Sequence, residues 1–205
     1  MLETDRAEEV LEETDMAFLF AQKYHSAMKN VGPVRKEMGE RTIFNILGPL
    51  TNPANASRQL LGVYDKELVE KLAEVLANLG VTRGMSVCGG DGLDEITVTG
   101  PTYCCEIKDG ELTSYEIIPE QFGLSTYPLA ELVGGTPEEN AQITKDILSG
   151  TLKGAKRDVV LMNAGIGIYL GSENLTMEEG IKKAEELINS GKAYEKMEEF
   201  VKATQ

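Results

Sequence analysis

The sequence predicts an α/β fold in which a central mixed, mostly parallel sheet is flanked by helices. Three observations carry that prediction: strand-like and helix-like segments alternate from residue 59 onward, a hairpin signal joins two later strands, and two capping boxes open later helices. With 205 residues, of which 41% are hydrophobic, the chain is expected to form a single α/β domain over 1–205.

The alternation begins with a strand predicted over residues 59–64. Apolar side chains at helical spacing predict a helix over 67–79, and Gly80 is placed to end it. A short buried strand is predicted over 85–88. A strand, a helix and a second strand in this order are typical of an α/β unit.

The later elements have stronger local signals. Strands are predicted over 102–107 and 112–117, on either side of Asp109-Gly110, a dipeptide typical of a tight hairpin. Thr136 and Thr176 each stand three residues before a glutamate, and each predicts the start of a helix through a capping box.

Three further segments are predicted from their composition. Residues 1–17 are strongly acidic with a thin apolar stripe, which predicts an exposed N-terminal helix. Residues 158–170 are apolar all round, and their periodicity leaves a buried helix and a buried strand equally open. An amphipathic helix is predicted over 192–203.

The charge of the chain excludes several classes of partner. It has 20 basic and 34 acidic residues, and its net charge is −14. Such a protein lacks the basic surface that DNA, RNA and anionic membranes require, so no nucleic-acid or membrane partner is expected. No apolar run approaches the roughly 18–20 residues of a membrane span, and no secretory signal is expected. The expected location is the cytoplasm.

Cysteine and histidine content excludes further chemistry. The three cysteines are Cys88, Cys104 and Cys105, an odd number with two adjacent, so a disulfide framework is not expected. His25 is the only histidine, which excludes a histidine-rich zinc site.

One pair of carboxylates suggests a metal site. Asp94 and Glu95 follow the glycine-rich loop 89–92. Mg²⁺ typically takes one or two carboxylates, together with waters and substrate phosphate oxygens, so the pair suits this cation. The alternative is a surface turn with two solvated acids. The loop itself matches neither common phosphate-loop pattern.

A second candidate site lies in the one basic stretch of the chain, residues 23–41. The following residues 42–64 carry a single charge, which indicates a buried or cavity-lining segment. Arg35 and His25 beside this segment could hold a planar acid, because arginine binds a carboxylate through two parallel hydrogen bonds. The alternative is a basic surface that serves solubility.

Several strings in the chain closely resemble the anthranilate phosphoribosyltransferase family. The longest is Arg41-Thr-Ile-Phe-Asn-Ile-Leu-Gly-Pro-Leu-Thr-Asn-Pro53, and Gly92-Leu-Asp-Glu95 is another. The resemblance implies a nucleoside phosphorylase/phosphoribosyltransferase-like large domain with a residual N-terminal helix. It also implies transfer of the phosphoribosyl group of phosphoribosyl pyrophosphate (PRPP) to anthranilate, with release of pyrophosphate, in tryptophan biosynthesis.

The resemblance further implies roles for individual residues. Asp94 and Glu95 match the family's Mg²⁺ ligands, so Mg²⁺ is the expected cofactor. Arg35 matches the residue that holds the anthranilate carboxylate, and no catalytic side chain is implied. The remaining residues match or neighbour positions that line the anthranilate channel: His25, Pro49, Tyr24 and Met28.

The chain also departs from the family. It resembles only the later part of a family member, and the family's Gly-Thr-Gly-Gly-Asp phosphate loop does not occur in it. We therefore expect the chain alone to be weakly active or inactive, and we expect a homodimer or a complementing chain as its partner. Two alternatives stay open: a non-catalytic or split-enzyme α/β module that needs a partner chain, and a relative of the nucleoside phosphorylases.

Overall fold

A computed structural model describes residues 4–24, 37–39 and 45–205. The chain divides into two compact units, of which the first is Met1–Asn55 with Glu195–Gln205 and the second is Ala56–Tyr194. Within the described ranges, no helix combines the length and the apolar character that a bilayer crossing requires.

The second unit is built on a four-stranded sheet with the spatial order β1-β2-β3-β4. The strands have the following bounds: β1, Arg58–Gly62; β2, Arg83–Gly89; β3, Thr102–Lys108; β4, Glu111–Ile117. β1 and β2 are parallel, whereas β2 and β3, and β3 and β4, are antiparallel. The predicted mixed sheet is confirmed. The sheet was also expected to be mostly parallel, but of these four strands only β1 and β2 pair in parallel.

The connections between the strands explain this mixture. Asp109 and Gly110 join β3 to β4 with φ angles of 53° and 83°, the left-handed pair that a type I′ hairpin requires. The predicted hairpin is therefore confirmed, and a hairpin makes its strands antiparallel. Parallel β1 and β2 need a crossover instead, and the helix Val69–Asn78 lies between them in the sequence.

The following α-helices occur in the described residues. Their bounds are α1, Thr4–Thr14; α2, Ala21–Tyr24; α3, Leu47–Leu50; α4, Val69–Asn78; α5, Pro137–Leu148; α6, Ala155–Gly171; α7, Met177–Asn189; and α8, Lys192–Ala203. Short 3₁₀ turns occupy Lys66–Leu68, Pro119–Phe122 and Leu129–Glu131.

Both predicted capping boxes are confirmed. The hydroxyl of Thr136 accepts a hydrogen bond from the N–H of Glu139 at 3.2 Å, and the carboxylate of Glu139 accepts one from the N–H of Thr136 at 2.7 Å. Thr176 and Glu179 repeat this exchange at the start of α7. The helix starts were predictable because this chemistry is local in the sequence.

The core of the second unit lies between the sheet and α6. Met85 and Val87 of β2 pack with Met162 and Ile166 of α6, and all four are at most 1% exposed. On its other side α6 packs against α7. Because α6 is covered on two sides, it is apolar all round, and the structure resolves the ambiguity over 158–170 in favour of a helix.

The opposite face of the sheet is covered by α4. Neighbouring residues of a strand point to opposite faces. Ser114 of β4 donates a hydrogen bond to Glu70 of α4 at 2.7 Å, whereas Tyr115 packs against the cluster on the α6 side. The sheet therefore has helices on both faces.

Two glycines allow α6 and α7 to approach closely. A Cβ at Gly165 would lie 2.5 Å from the Cα of Ile181, and a Cβ at Gly180 would overlap the carbonyl oxygen of Gly165. Backbone atoms cannot yield as a flexible side chain can, so these two positions require glycine.

A buried polar cluster ties the sheet to the end of α6. Glu106 of β3 is 8% exposed and accepts hydrogen bonds from the hydroxyls of Tyr115 at 2.8 Å and Tyr169 at 2.6 Å. Arg83 stacks over the Tyr169 ring, with its Cζ atom 4.6 Å from the ring centroid. The carboxylate is thus hydrogen-bonded through both oxygens, as a buried acid requires.

The first unit contains α1 and most of α8. Arg6 of α1 pairs with Glu9 and Glu13 and donates a hydrogen bond to the carbonyl oxygen of Ala203 at 2.8 Å. Lys196 of α8 donates one to the carbonyl oxygen of Thr14 at 3.2 Å. These contacts hold the acidic helix α1 against α8.

Candidate metal centre

The predicted magnesium ligands lie in the link between β2 and β3, which runs from Gly89 to Thr102. Asp94 and Glu95 are both exposed and belong to no helix or strand. A link of this length is free to fluctuate unless other groups hold it. Three sets of contacts do so.

The first support is the carboxylate of Asp91. One of its oxygens accepts hydrogen bonds from the hydroxyls of Thr97 at 2.7 Å and Thr99 at 2.6 Å. The other oxygen accepts one from the N–H of Leu93 at 3.1 Å. Partial burial acts to raise the pKa of Asp91, but the hydrogen bonds from Thr99 and Thr97 outweigh it, and the pKa is lowered. Asp91 therefore closes the loop as an anion.

The second support comes from α6. The side-chain amide of Asn163 accepts a hydrogen bond from the N–H of Ile96 at 3.1 Å and donates one to the carbonyl oxygen of the same residue at 2.8 Å. Ile96 is fully buried in the core cluster between the sheet and α6. The residue that follows Glu95 is therefore held by its backbone and by its side chain.

The third support is the close approach of β1. A Cβ at Gly62, the last residue of β1, would overlap the carbonyl oxygen of Asp94. Only a glycine permits this contact, so the backbone of Asp94 rests directly on the end of the strand.

A cavity of about 360 Å³ lies beside the two carboxylates. Asp94 and Glu95 line it together with residues from α5 and α6, among them Asn140, Thr144 and Lys156. The ammonium of Lys156 donates hydrogen bonds to the carbonyl oxygens of Glu131 at 2.7 Å and Val133 at 2.6 Å. Lys156 thus anchors the wall of the cavity.

The donor set fits Mg²⁺ but not a metal that needs a complete protein cage. Among the residues that the structure describes, no group of three or more histidine, cysteine or acidic side chains is placed to hold an ion. Mg²⁺ is commonly held by one or two carboxylates, with waters and substrate phosphates as its other ligands. Asp94 and Glu95 supply that number of carboxylates.

The predicted anthranilate residues are only partly within the described chain. His25, Met28 and Arg35 lie outside the described residues. Tyr24 is half-buried at the end of α2, and Pro49 is exposed in α3. Both belong to the first unit, whereas Asp94 and Glu95 belong to the second.

Sequence reasoning did not assign roles to two residues of the centre, Asp91 and Asn163. Asp91 had a local signal, because aspartate often accepts hydrogen bonds from residues just after it in the chain, and threonines follow at 97 and 99. No local signal pointed to Asn163, because its partner Ile96 lies 67 residues away in the sequence.

The α/β fold is that of a known class. The glycosyl transferase family, a/b domain, matches residues 1–194, and the chain belongs to this family. Within it, the chain is similar to anthranilate phosphoribosyltransferases: it is 52% identical over 204 residues to that of Endomicrobium trichonymphae and 50% identical over 203 residues to that of Methanobrevibacter smithii. The resemblance seen in the sequence is thereby confirmed.

Solved structures agree with this similarity. The anthranilate phosphoribosyltransferase of Thermus thermophilus matches 97% of the chain with a TM-score of 0.89 and 42% identity. That of Saccharomyces cerevisiae in complex with PRPP and Mg matches 98% with a TM-score of 0.90 and 33% identity. The chain covers 58% of each of these structures. The matches to the two curated relatives likewise span 100% and 99% of the chain but only 60% of each relative.

Proposed function

We propose that this chain carries the magnesium-binding part of an anthranilate phosphoribosyltransferase. Such an enzyme transfers the phosphoribosyl group of PRPP to the amine of anthranilate and releases pyrophosphate, a step of tryptophan biosynthesis. The observation that carries the proposal is the exposed pair Asp94 and Glu95 on a supported loop, in a chain 52% identical to a relative of that name.

The carboxylates of Asp94 and Glu95 would hold the ion. Mg²⁺, when bound there, would neutralise the negative charge of the departing pyrophosphate. The Saccharomyces cerevisiae relative solved with PRPP and Mg supports this assignment.

The second substrate would be held by residues that precede the second unit in the sequence. Arg35 would bind the carboxylate of anthranilate through two hydrogen bonds and so hold its weakly nucleophilic amine in line with the reacting carbon. His25, Pro49, Tyr24 and Met28 would line the anthranilate channel. A Saccharomyces cerevisiae relative in complex with 4-fluoroanthranilate supports a site for such an acid. No side-chain nucleophile is needed, because the reaction is governed by position and charge.

The 205-residue chain alone is expected to be weakly active or inactive, because it spans about 60% of the length of the curated relatives. A homodimer or a complementing chain is the proposed partner.

The metal assignment is tested by titrating the 205-residue protein with Mn²⁺ and following water-proton relaxation. The double variant Asp94→Gln/Glu95→Gln should lose most of the binding. Glu8→Gln/Glu9→Gln is the matched control, since it removes two adjacent exposed acids from α1, and it should bind as the unaltered protein does. Absence of Mn²⁺ binding, or equal binding by both double variants, would overturn the proposal.

The substrate assignment is tested separately by following the fluorescence of anthranilate during titration with the protein. Arg35→Ala should weaken binding, whereas Arg58→Ala, the loss of an arginine in the second unit, should not. A transfer assay with both substrates and Mg²⁺ completes the test. Rapid turnover by the 205-residue chain would contradict the expected incompleteness.

A further inference from the structure

Asn163 is unusual among the residues around the candidate metal centre. It lies in the middle of α6, yet its side chain is bonded to the loop that carries Asp94 and Glu95. It is not adjacent to the ligands in the sequence, and an amide is not needed to complete the core. Its contacts therefore call for a physical explanation.

The amide of Asn163 uses both of its ends. Its Oδ1 atom accepts a hydrogen bond from the N–H of Ile96 at 3.1 Å, and its Nδ2 atom donates to the carbonyl oxygen of Ile96 at 2.8 Å. Nδ2 also donates to the carbonyl oxygen of Val159 at 2.9 Å, one turn earlier in α6. The bond to Val159 fixes the orientation of the amide, and the amide then fixes Ile96.

The bond to the N–H of Ile96 acts on Glu95. That N–H and the carbonyl group of Glu95 belong to one planar peptide unit. Holding one end of the unit sets the orientation of its plane. The other peptide unit of Glu95 contains the carbonyl group of Asp94, which lies against Gly62. With both units held, the direction in which the Glu95 side chain leaves the backbone is set. The buried side chain of Ile96 prevents the unit from shifting toward solvent.

Asp94 is fixed from the other side. Its carbonyl oxygen lies against the backbone of Gly62 at the end of β1. Asp94 and Glu95 are thus held by two different elements of the sheet-and-helix framework, α6 and β1. The backbone that carries the two carboxylates is therefore positioned by folding before any cation arrives.

We propose that Asn163 is a positioning residue of the metal centre. It does not touch the ion. It orients the peptide unit of Glu95 so that the carboxylate pair is ready to bind a divalent cation without first ordering the loop. This inference rests on the proposed magnesium site. Replacing residues that orient metal ligands typically lowers metal affinity about 10–100-fold.

The test compares the Mn²⁺ affinities of variants of the 205-residue protein. Asn163→Ala should weaken Mn²⁺ binding about 10-fold or more, because the ligand carboxylates then have to be ordered on binding. Tyr169→Phe is the matched control: it removes one part-buried hydrogen bond near the C-terminal end of the same helix. It should change Mn²⁺ affinity by less than about twofold. Thermal unfolding measured alongside shows whether the two variants are comparably destabilised.

A spectroscopic readout separates positioning from a general loss of structure. The electron paramagnetic resonance spectrum of bound Mn²⁺ reports the symmetry of its ligands, and it should change in Asn163→Ala but not in Tyr169→Phe. Asn163→Ser, which keeps a shorter polar group, carries the same test if the alanine variant does not fold. The Mn²⁺ affinity of Asn163→Ser should lie between those of the unaltered protein and the alanine variant.

The outcomes distinguish this inference from the proposed function. If the unaltered protein binds no Mn²⁺, the magnesium site is wrong and the role of Asn163 is wrong with it. If Asp94→Gln/Glu95→Gln abolishes binding while the Asn163 variants keep the affinity and spectrum of the unaltered protein, only the inference about Asn163 is overturned.

Discussion

The carboxylate of Asp91 offers the sharpest test of how the metal loop is held. Replacing Asp91 with alanine removes hydrogen bonds from the two hydroxyls and the one backbone N–H described above. It also leaves the hydroxyl of Thr97, which is 1% exposed, without its charged acceptor. Hydrogen bonds to charged groups contribute about 1.5–3 kcal/mol each. The three contributions do not simply add, because Asp91 is partly exposed and Thr97 and Thr99 also contact each other. We therefore expect the free energy of unfolding to fall by about 2–4 kcal/mol in total.

The loss should depend on pH in a defined direction. The pKa of Asp91 is lowered in the folded protein, so its carboxylate stabilises the fold above its unfolded pKa of about 4. That contribution disappears as the pH falls through the still lower folded pKa. The difference in stability between the unaltered protein and Asp91→Ala is therefore largest near neutral pH and shrinks below about pH 4.

Urea unfolding at a series of pH values measures both effects. Asp94→Ala is the control, because it removes an exposed acid three residues further along the same loop, and it should change the free energy of unfolding by less than about 0.5 kcal/mol. The reasoning is refuted if Asp91→Ala costs no more than that control. A large cost that stays constant from neutral to acidic pH would refute the role of the charge.

Three further predictions concern the framework around the loop. Gly165→Ala should destabilise the protein by about 2 kcal/mol or more in urea unfolding, because its methyl group meets the backbone of α7. Gly167→Ala is the control: open space surrounds this position, so the variant should be more stable by about 0.5–1 kcal/mol. Equal effects of the two variants would contradict the close packing of α6 and α7. Glu106→Ala should lower the free energy of unfolding by about 2–3 kcal/mol, since two tyrosine hydroxyls lose their acceptor, and a loss below about 0.5 kcal/mol would show that the cluster is not needed. Burial raises the pKa of Cys104 to about 12, so mass-spectrometric mapping should find it unmodified by a thiol reagent in the native protein at pH 8 and modified after unfolding; rapid native modification would contradict its burial.

The elements that the sequence predicted correctly are those whose signals are local. The capping box at Thr136 involves residues three apart, and the hairpin at Asp109-Gly110 depends on the backbone freedom of two adjacent residues. In both cases the interacting groups are neighbours in the chain. The residue types alone therefore determine the local geometry.

Features that depend on distant contacts were not predictable in the same way. The apolar segment 158–170 carried no periodicity because α6 is covered by the sheet on one side and by α7 on the other. The role of Asn163 depends on a partner 67 residues away. The pair Asp94 and Glu95 was predicted as a Mg²⁺ site because adjacent carboxylates after glycines suit this cation, but two of the supports of the loop, Gly62 and Asn163, come from elsewhere in the fold.

The positions of these supports lead to a last prediction. Gly62, Asp91 and Asn163 all lie in the second unit, as do the carboxylates that they hold. Two adjacent anions repel each other, so fixed contacts help to hold a loop that carries them, and the contacts made by these three residues all lie within the second unit. Arg35, which is proposed to hold anthranilate, is not one of these three supports. Arg35→Ala should therefore weaken anthranilate binding in the fluorescence titration and leave Mn²⁺ affinity within about twofold of the unaltered protein. A parallel loss of both would show that the metal loop depends on Arg35, and the account of its supports would then be incomplete.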